Sequence, residues 1–454
     1  MRHDPVRLTR RRPAGLATSV GVSAAAVAIA ATLAWAAVHT RLESSVPAAD
    51  EVLSVAPDRF ELTFSGPVNE ALSALVLVTP SGDSVRVRLH GSDAEGRILV
   101  GDVPGLEDGE YLVRWRTVSA DGHPVSGEFG FSFAGTPGAD PGAEERVDTA
   151  PTTAPSQAGA PDAPAAQLPA SDLPEALPGA VVVLLAGLGM VCLLGFAGLL
   201  WYCGSLPLLF EPRISRAVRV LGWSALLLLA ADLIRWMVGV VPSGTGYAGV
   251  SAALGSGTGV AGLVRFALTA IALVALPKNG RAAAALALAA VVVGAASGHA
   301  AAISPWITMP AKAVHLGAAS IWLGGLLLLV LAPDGPTDGT GSWRFGSVAR
   351  AVSSAALLSV ILVVASGMVQ STQLVGEFAA YPGTVYGRGV LAKWGGLLVL
   401  VGFGAYHRFR VLPHLEEDGT GRTLRRTVRL ETAVMLAVVM VAAWLARVSP
   451  PGGH

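Results

Sequence analysis

The chain has 454 residues, and its 32 Lys and Arg balance 32 Asp and Glu, so the formal net charge is zero at pH 7. Only 14% of residues are charged, 52% are apolar and mean hydropathy is +0.57, whereas soluble domains carry nearer a quarter charged residues. This balance excludes a wholly soluble globular protein, while the zero net charge says nothing about nucleic acid and no basic cluster suggests a nucleic-acid partner.

Arg2, Arg7, Arg10, Arg11 and Arg12 precede an apolar stretch from Leu16 to Val38. Residues 1–38 therefore read as an export signal or an uncleaved membrane anchor. Ala34-Trp35-Ala36 permits cleavage after Ala36, while a cut directly before His39 would place Val38 at the junction, which is less favourable.

Residues 39–134 read as β structure. Strand-like runs occur at Phe60–Phe64, Ala74–Val78, Val85–Leu89, Ile98–Val100, Tyr111–Val118 and Glu128–Phe133. Turn signals at Pro80-Ser81-Gly82-Asp83, Asp93-Ala94-Glu95-Gly96 and Asp108-Gly109 separate them. The pattern predicts a small all-β sandwich or Greek-key barrel with Trp115 as a core anchor. Residues 135–178 then turn to Pro, Ala, Gly and Thr, the composition of a semi-extended linker.

Residues 179–448 predict an all-α polytopic membrane domain of about eight helices. The apolar spans cover 179–202, 217–241, 260–276, 282–301, 311–332, 349–371, 388–406 and 428–447. Arg213, Arg216 and Arg219 follow the first span, Lys278 and Arg281 the third, Arg344 and Arg350 the fifth, and an Arg-rich segment from His407 to Arg429 the seventh. The alternate loops near 244–259 and 373–387 carry almost no Lys or Arg. The positive-inside rule then runs the odd spans from outside to inside and places the β domain outside the cytoplasmic membrane. Cys192 and Cys203 stand eleven residues apart, roughly 16 Å along a helix, too far to bridge.

Asp121 and His123 are two positions apart in Ser119-Ala120-Asp121-Gly122-His123-Pro124, so they point to the same side of an extended strand. A second imidazole from His39 would complete an N/O site of the kind that suits Cu(II) or Zn(II). From the residues alone the other reading stays open: Asp121-Gly122 as a hairpin turn and His123 as a surface residue. His90 lies outside this pattern and reads as solvent-facing.

The stretches His39-Thr40-Arg41-Leu42-Glu43, Phe64-Ser65-Gly66-Pro67-Val68, Gly109-Glu110-Tyr111-Leu112-Val113-Arg114-Trp115 and Val118-Ser119-Ala120-Asp121-Gly122-His123-Pro124 resemble the CopC family of periplasmic copper-binding proteins. That resemblance implies Cu(II) binding by His39, Asp121 and His123, with the terminal amine of a mature His39 as an extra ligand. The family's Cu(I) site uses a Met-rich loop, yet no Met occurs between Met1 and Met190. Thioethers select Cu(I), so Cu(II) alone is expected in this domain.

The membrane portion resembles the CopD family through Ser297-Gly298-His299-Ala300-Ala301, Val314-His315-Leu316-Gly317-Ala318, Ser366-Gly367-Met368-Val369-Gln370 and Tyr386-Gly387-Arg388-Gly389-Val390-Leu391-Ala392-Lys393. The resemblance implies copper movement, as Cu(I) or Cu(II), across the cytoplasmic membrane.

Topology adds an independent expectation. His299 closes the fourth span at its outer end, and His315 enters the fifth about four residues in, roughly 6 Å deep. A connection containing Met309 joins them. His299, Met309 and His315 thus form a candidate membrane-entry copper site, while the alternative makes both histidines helix-bridging polar residues. Asp232 and Arg235 are expected to neutralise each other. Met190, Cys192, Met237 and Met368 are soft groups that either relay Cu(I) or simply pack. His407 and His414 read as part of a solvated basic face.

The chain is thus expected to capture Cu(II) outside the membrane and import or transfer it, with copper ions and the lipid bilayer as its partners. It carries no nucleotide motif and reads as a transporter rather than an enzyme. Two alternatives are a haem-binding redox protein with paired histidines and a copper sensor or store without translocation.

Overall fold

The structure is a computed structural model that describes residues 40–91, 93, 95–119, 124–135, 179–205, 211–242, 245–296, 305–332, 345–375, 380–415 and 420–447. The expected leader (1–38) and most of the expected linker (136–178) lie outside the described residues.

The β unit is a sandwich of two sheets. One has the order β1-β3-β7-β6, from Leu42–Val46, Arg59–Phe64, Ile98–Asp102 and Leu89–Gly91. The other has the order β2-β9-β8-β4-β5, from Val52–Leu53, Pro124–Phe133, Gly109–Val118, Ala74–Val78 and Ser84–Val87. Burial alternates along β3, β4 and β8, the period of strands with one face in the core. Phe60, Leu62, Phe64, Leu75, Leu77, Val113 and Phe131 fill the space between the sheets. Trp115 is the anchor the sequence predicts: it is buried, and its ring meets Phe64 edge to face at 5.3 Å. Gly127 is its cross-strand partner, and a Cβ there would come within 2.6 Å of the indole.

Three features depart from expectation. The run Val85–Leu89 is not one strand, because β5 pairs with β4 in one sheet and β6 with β7 in the other. The chain therefore changes sheets at Arg88, as sandwich corners do. β1 lacks alternation, with most of its residues exposed. β2 is two residues long and pairs in parallel with the distant β9.

The helices of the chain are α1 (Gly179–Ser205), α2 (Pro212–Val240), α4 (Gly257–Ala275), α5 (Gly280–Val293), α6 (Pro305–Leu331), α7 (Phe345–Val375), α9 (Val385–Tyr406) and α10 (Thr420–Leu445), with α3 (Gly246–Gly255) and α8 (Ala380–Gly383) short. Among the described residues seven helices are long and apolar enough to cross a membrane, and the apolar helix at Gly280–Ala296 is shorter. This is a multi-pass membrane protein. Both cysteines are free.

Small residues set the tightest crossing. A Cβ on Gly198 of α1 would overlap the Ser320 carbonyl of α6, and one on Gly324 would overlap the backbone of Gly198. The Ser320 hydroxyl donates to the Leu194 carbonyl at 2.8 Å across the same contact. Close backbone approach at small residues, with a polar bond across it, is how helices associate in lipid.

Candidate functional sites

His39, Asp121 and His123 lie outside the described residues, but the residues beside them do not. Thr40 is 4% exposed and donates from Oγ1 to the Pro67 carbonyl at 3.3 Å. Ser119 is 2% exposed and forms an antiparallel bridge with Val68. The Asn69 amide donates to the Val118 carbonyl at 2.9 Å, and the Ser65 amide to Arg41 at 2.9 Å. Both chain segments that lead to the expected ligands are therefore fastened to the same Pro67-Val68 dipeptide. Beneath them, the Thr117 and Ser73 hydroxyls share a 2.6 Å hydrogen bond. Pro67 to Ala71, with the carboxylate of Glu70, line a depression at this end of the sandwich. Burial lowers the Arg116 guanidinium from its ordinary value.

His90 is exposed, as expected, and its Nδ1 lies 3.2 Å from Asp102 Oδ1. Among the described residues no group of three or more His, Cys, Asp and Glu side chains is placed to hold a metal ion.

In the helical unit His299 lies outside the described residues. The two other members of the expected entry site sit differently from expectation. α6 begins at Pro305, six residues earlier than the predicted span, so Met309 lies within the helix rather than in a connection. His315 is then the eleventh residue of α6, about 15 Å from its first residue rather than roughly 6 Å. Six positions separate Met309 from His315, which puts them on faces about 120° apart. Met309 is buried and His315 half-buried.

His315 packs on Ser366 and Gly367 of α7. Its Nδ1 is 3.1 Å from Ser366 Oγ, and a Cβ on Gly367 would lie 3.5 Å from its Cε1. Ser366 Oγ donates its one proton to the Leu362 carbonyl, with Val363 as a second acceptor at 3.3 Å. With that proton engaged, the hydroxyl is placed to accept from His315 Nδ1, and the Val363 backbone is a further hydrogen-bond partner of the ring. Bonds of this kind hold an imidazole in one orientation.

Asp232 and Arg235 pair as expected, at 3.0 Å, and Arg447 adds a third partner at 3.5 Å from Asp232 Oδ1. Of the soft groups, Met190 and Cys192 pack against the core and Met368 is 55% exposed.

His407 corrects the sequence reading. It is buried, not part of a solvated face, and its Nδ1 lies 3.1 Å from Glu431 Oε2. Trp322 Nε1 donates to Glu431 Oε1 at 3.2 Å, and His407 Nε2 meets Thr427 Oγ1 at 2.7 Å. The imidazole stands at the first residue of a π-helical turn, His407–Val411, that continues α9. The available signal was Glu431 itself, a carboxylate inside an apolar span that needs a partner. His414 is exposed, as expected.

The architecture defines a class: a multi-pass membrane protein with a separate β-sandwich unit ahead of its helices. Residues 42–134 match the family described as CopC domain, and residues 347–445 match the family described as copper resistance protein D. Over 442 residues the chain is 25% identical to copper transport protein CutJ of Bacillus subtilis (strain 168), covering 91% of this chain and 75% of that one. Over 104 residues it is 32% identical to copper resistance protein C of Escherichia coli, covering 21% of this chain and 80% of that one. The crystal structure of CopC from Methylosinus trichosporium OB3b shares 29% identity, over 22% of this chain and 100% of that one, with a TM-score of 0.21. The chain belongs to the CopC/CopD copper-resistance family, with a CopC domain followed by a CopD domain.

Proposed function

We propose that this protein captures Cu(II) outside the cytoplasmic membrane through His39, Asp121 and His123, and passes copper inward through its helical domain. The observation that carries the capture step is the double fastening of Thr40 and Ser119 to Pro67-Val68, which starts the segments bearing His39 and Asp121 from one end of the sandwich. Two imidazoles and a carboxylate make a donor set suited to Cu(II), and the absence of Met from residues 2–189 removes the thioethers that would favour Cu(I). Family membership supports copper as the cargo, and the CutJ relative is named as a copper transport protein. The Lys- and Arg-rich alternate loops support the outward placement of the CopC domain.

In the helices, His315 is the best-prepared ligand, because Ser366 fastens its ring at Nδ1. His299 and Met309 complete the proposed entry region. Their contribution is independent of the capture site, so the two parts can be tested apart.

The test is electron paramagnetic resonance of the full chain loaded with one equivalent of Cu(II), together with copper accumulation by cells at limiting external copper. Asp121→Ala with His123→Ala is expected to remove the nitrogen hyperfine pattern. His299→Ala with His315→Ala is expected to reduce accumulation and leave that pattern intact. An unchanged spectrum in the first variant would sink the capture site, and wild-type accumulation in the second would sink the entry site.

A further inference from the structure

The outer half of the helical unit holds far more cations than carboxylates. Asp232 lies late in α2, whereas Arg265 and Lys393 are the ninth residues of α4 and α9 and Lys312 is the eighth of α6. Arg447 follows the end of α10. In helices of alternating direction these positions fall in the half remote from the Arg-rich loops. Lys312 is within electrostatic reach of both Arg265 and Lys393, His315 of Lys393, and Arg265 of Asp232. Among the described residues the only carboxylates on these helices are Asp232 and Glu431. Asp232 is already bonded by Arg235 and Arg447, and Glu431 by His407 and Trp322.

Arg265 adds an independent observation. Its guanidinium lies against Gly294, where a Cβ would stand 3.4 Å from Cζ and Nε. Nε is buried with no hydrogen-bond partner among the described residues. A buried Nε–H left unsatisfied on a half-buried arginine calls for an acceptor. Arg265, Lys312 and Lys393 each stand about 10–12 Å along their helices, deeper than side chains at helix ends that reach out to headgroups.

Like charges oppose the entry of a bare copper cation at this place, while a carboxylate would be held by charge-assisted bonds. We propose that Arg265, Lys312 and Lys393 form an oxyanion site, and that copper reaches the helices accompanied by a small carboxylate ligand. The second half of this statement rests on the copper-transport reading above; the oxyanion site does not. The carboxylate neutralises the cations while copper is passed to the neighbouring His315. The anionic complex is thus the cargo form, and the cation cluster is the element that selects it.

The test uses the full chain in vesicles of phosphatidylcholine alone, with radiolabelled citrate as the probe. Saturable citrate binding without copper is expected. Arg265→Gln and Lys393→Met should each weaken it about tenfold or more, and Lys393→Arg should retain it. At equal free copper, uptake should be faster from copper citrate than from an uncharged copper complex. Absence of citrate binding, or binding indifferent to both substitutions, would overturn the site. Binding abolished by added phosphatidylglycerol would make a lipid phosphate the occupant and overturn the small-carboxylate assignment. Equal uptake from both copper forms would overturn the accompanied-copper assignment. Intact citrate binding with no copper uptake in any form would instead sink the transport reading and leave the oxyanion site standing.

Discussion

His407 and Glu431 meet inside the helical unit, 3.1 Å from Nδ1 to Oε2, with side chains 9% and 3% exposed. Three elements meet at that carboxylate, because Trp322 of α6 binds its second oxygen and His407 and Glu431 come from the α9 extension and α10. Both acceptor atoms of Glu431 are used, so removing either partner leaves a buried polar group without its bond.

From this arrangement, Glu431→Ala or His407→Ala alone should destabilise the protein by about 3–5 kcal/mol. The double variant Glu431→Leu with His407→Leu should lose clearly less than the sum of the two singles. Thermal unfolding of the purified protein in detergent checks this. Strict additivity would mean the two groups do not act as a pair.

In the β-sandwich, Tyr111 Oη accepts from the Glu107 amide at 2.7 Å and donates to the Glu107 carbonyl at 2.8 Å. Its ring stacks on Phe131 at 5.2 Å. Tyr111→Phe keeps the stacking and strips both bonds, so about 1–3 kcal/mol should be lost. Urea unfolding of residues 40–135, followed by fluorescence of their one tryptophan, Trp115, measures it.

A neighbouring prediction uses the same probe. Gly127→Ala forces a methyl into the Trp115 indole, so the ring must move or the strands must part. A loss of about 1–3 kcal/mol is expected from such overpacking. The Trp115 emission maximum should shift as well. A variant with wild-type stability and spectrum would show that the ring has room to slide.

Ser366 makes a prediction separate from that of His315. Ser366→Ala removes the hydroxyl beside Nδ1 and leaves the Val363 backbone as the ring's remaining hydrogen-bond partner on α7, so the ring is held less firmly. Copper accumulation should fall about tenfold, the lower end for loss of a second-sphere partner, with the Cu(II) spectrum of the CopC domain unchanged. Ser366→Thr, which keeps the hydroxyl, should retain most of the activity.

Local periodicity explains which parts were legible in the sequence. β3, β4 and β8 alternate between core and surface, so residue type places all three, although β3 begins at Arg59 and β8 at Gly109, where the sequence reads a turn. β1 and β2 have no such pattern, since pairing with distant partners holds them in place. The apolar spans were legible from hydropathy, but the start of α6 was not. Pro305 and Pro310 suggest a break to any sequence reading, yet Pro305 occupies the first residue of the helix and Pro310 is accommodated in its second turn. That shift carries His315 deeper. The burial of His407 was hidden because its neighbours Arg408 and Arg410 are solvated, and only the fold reveals that Glu431 faces it.

The glycine contact between α1 and α6 bears on how the helices can move. Gly198 and Gly324 bring two backbones so close that a side chain on either would collide with the opposite helix. A rearrangement that rolled α1 on α6 would have to keep small residues at this crossing. α7 reaches the His315 ring through Ser366, so a turn of α7 against α6 would change the partner of that ring.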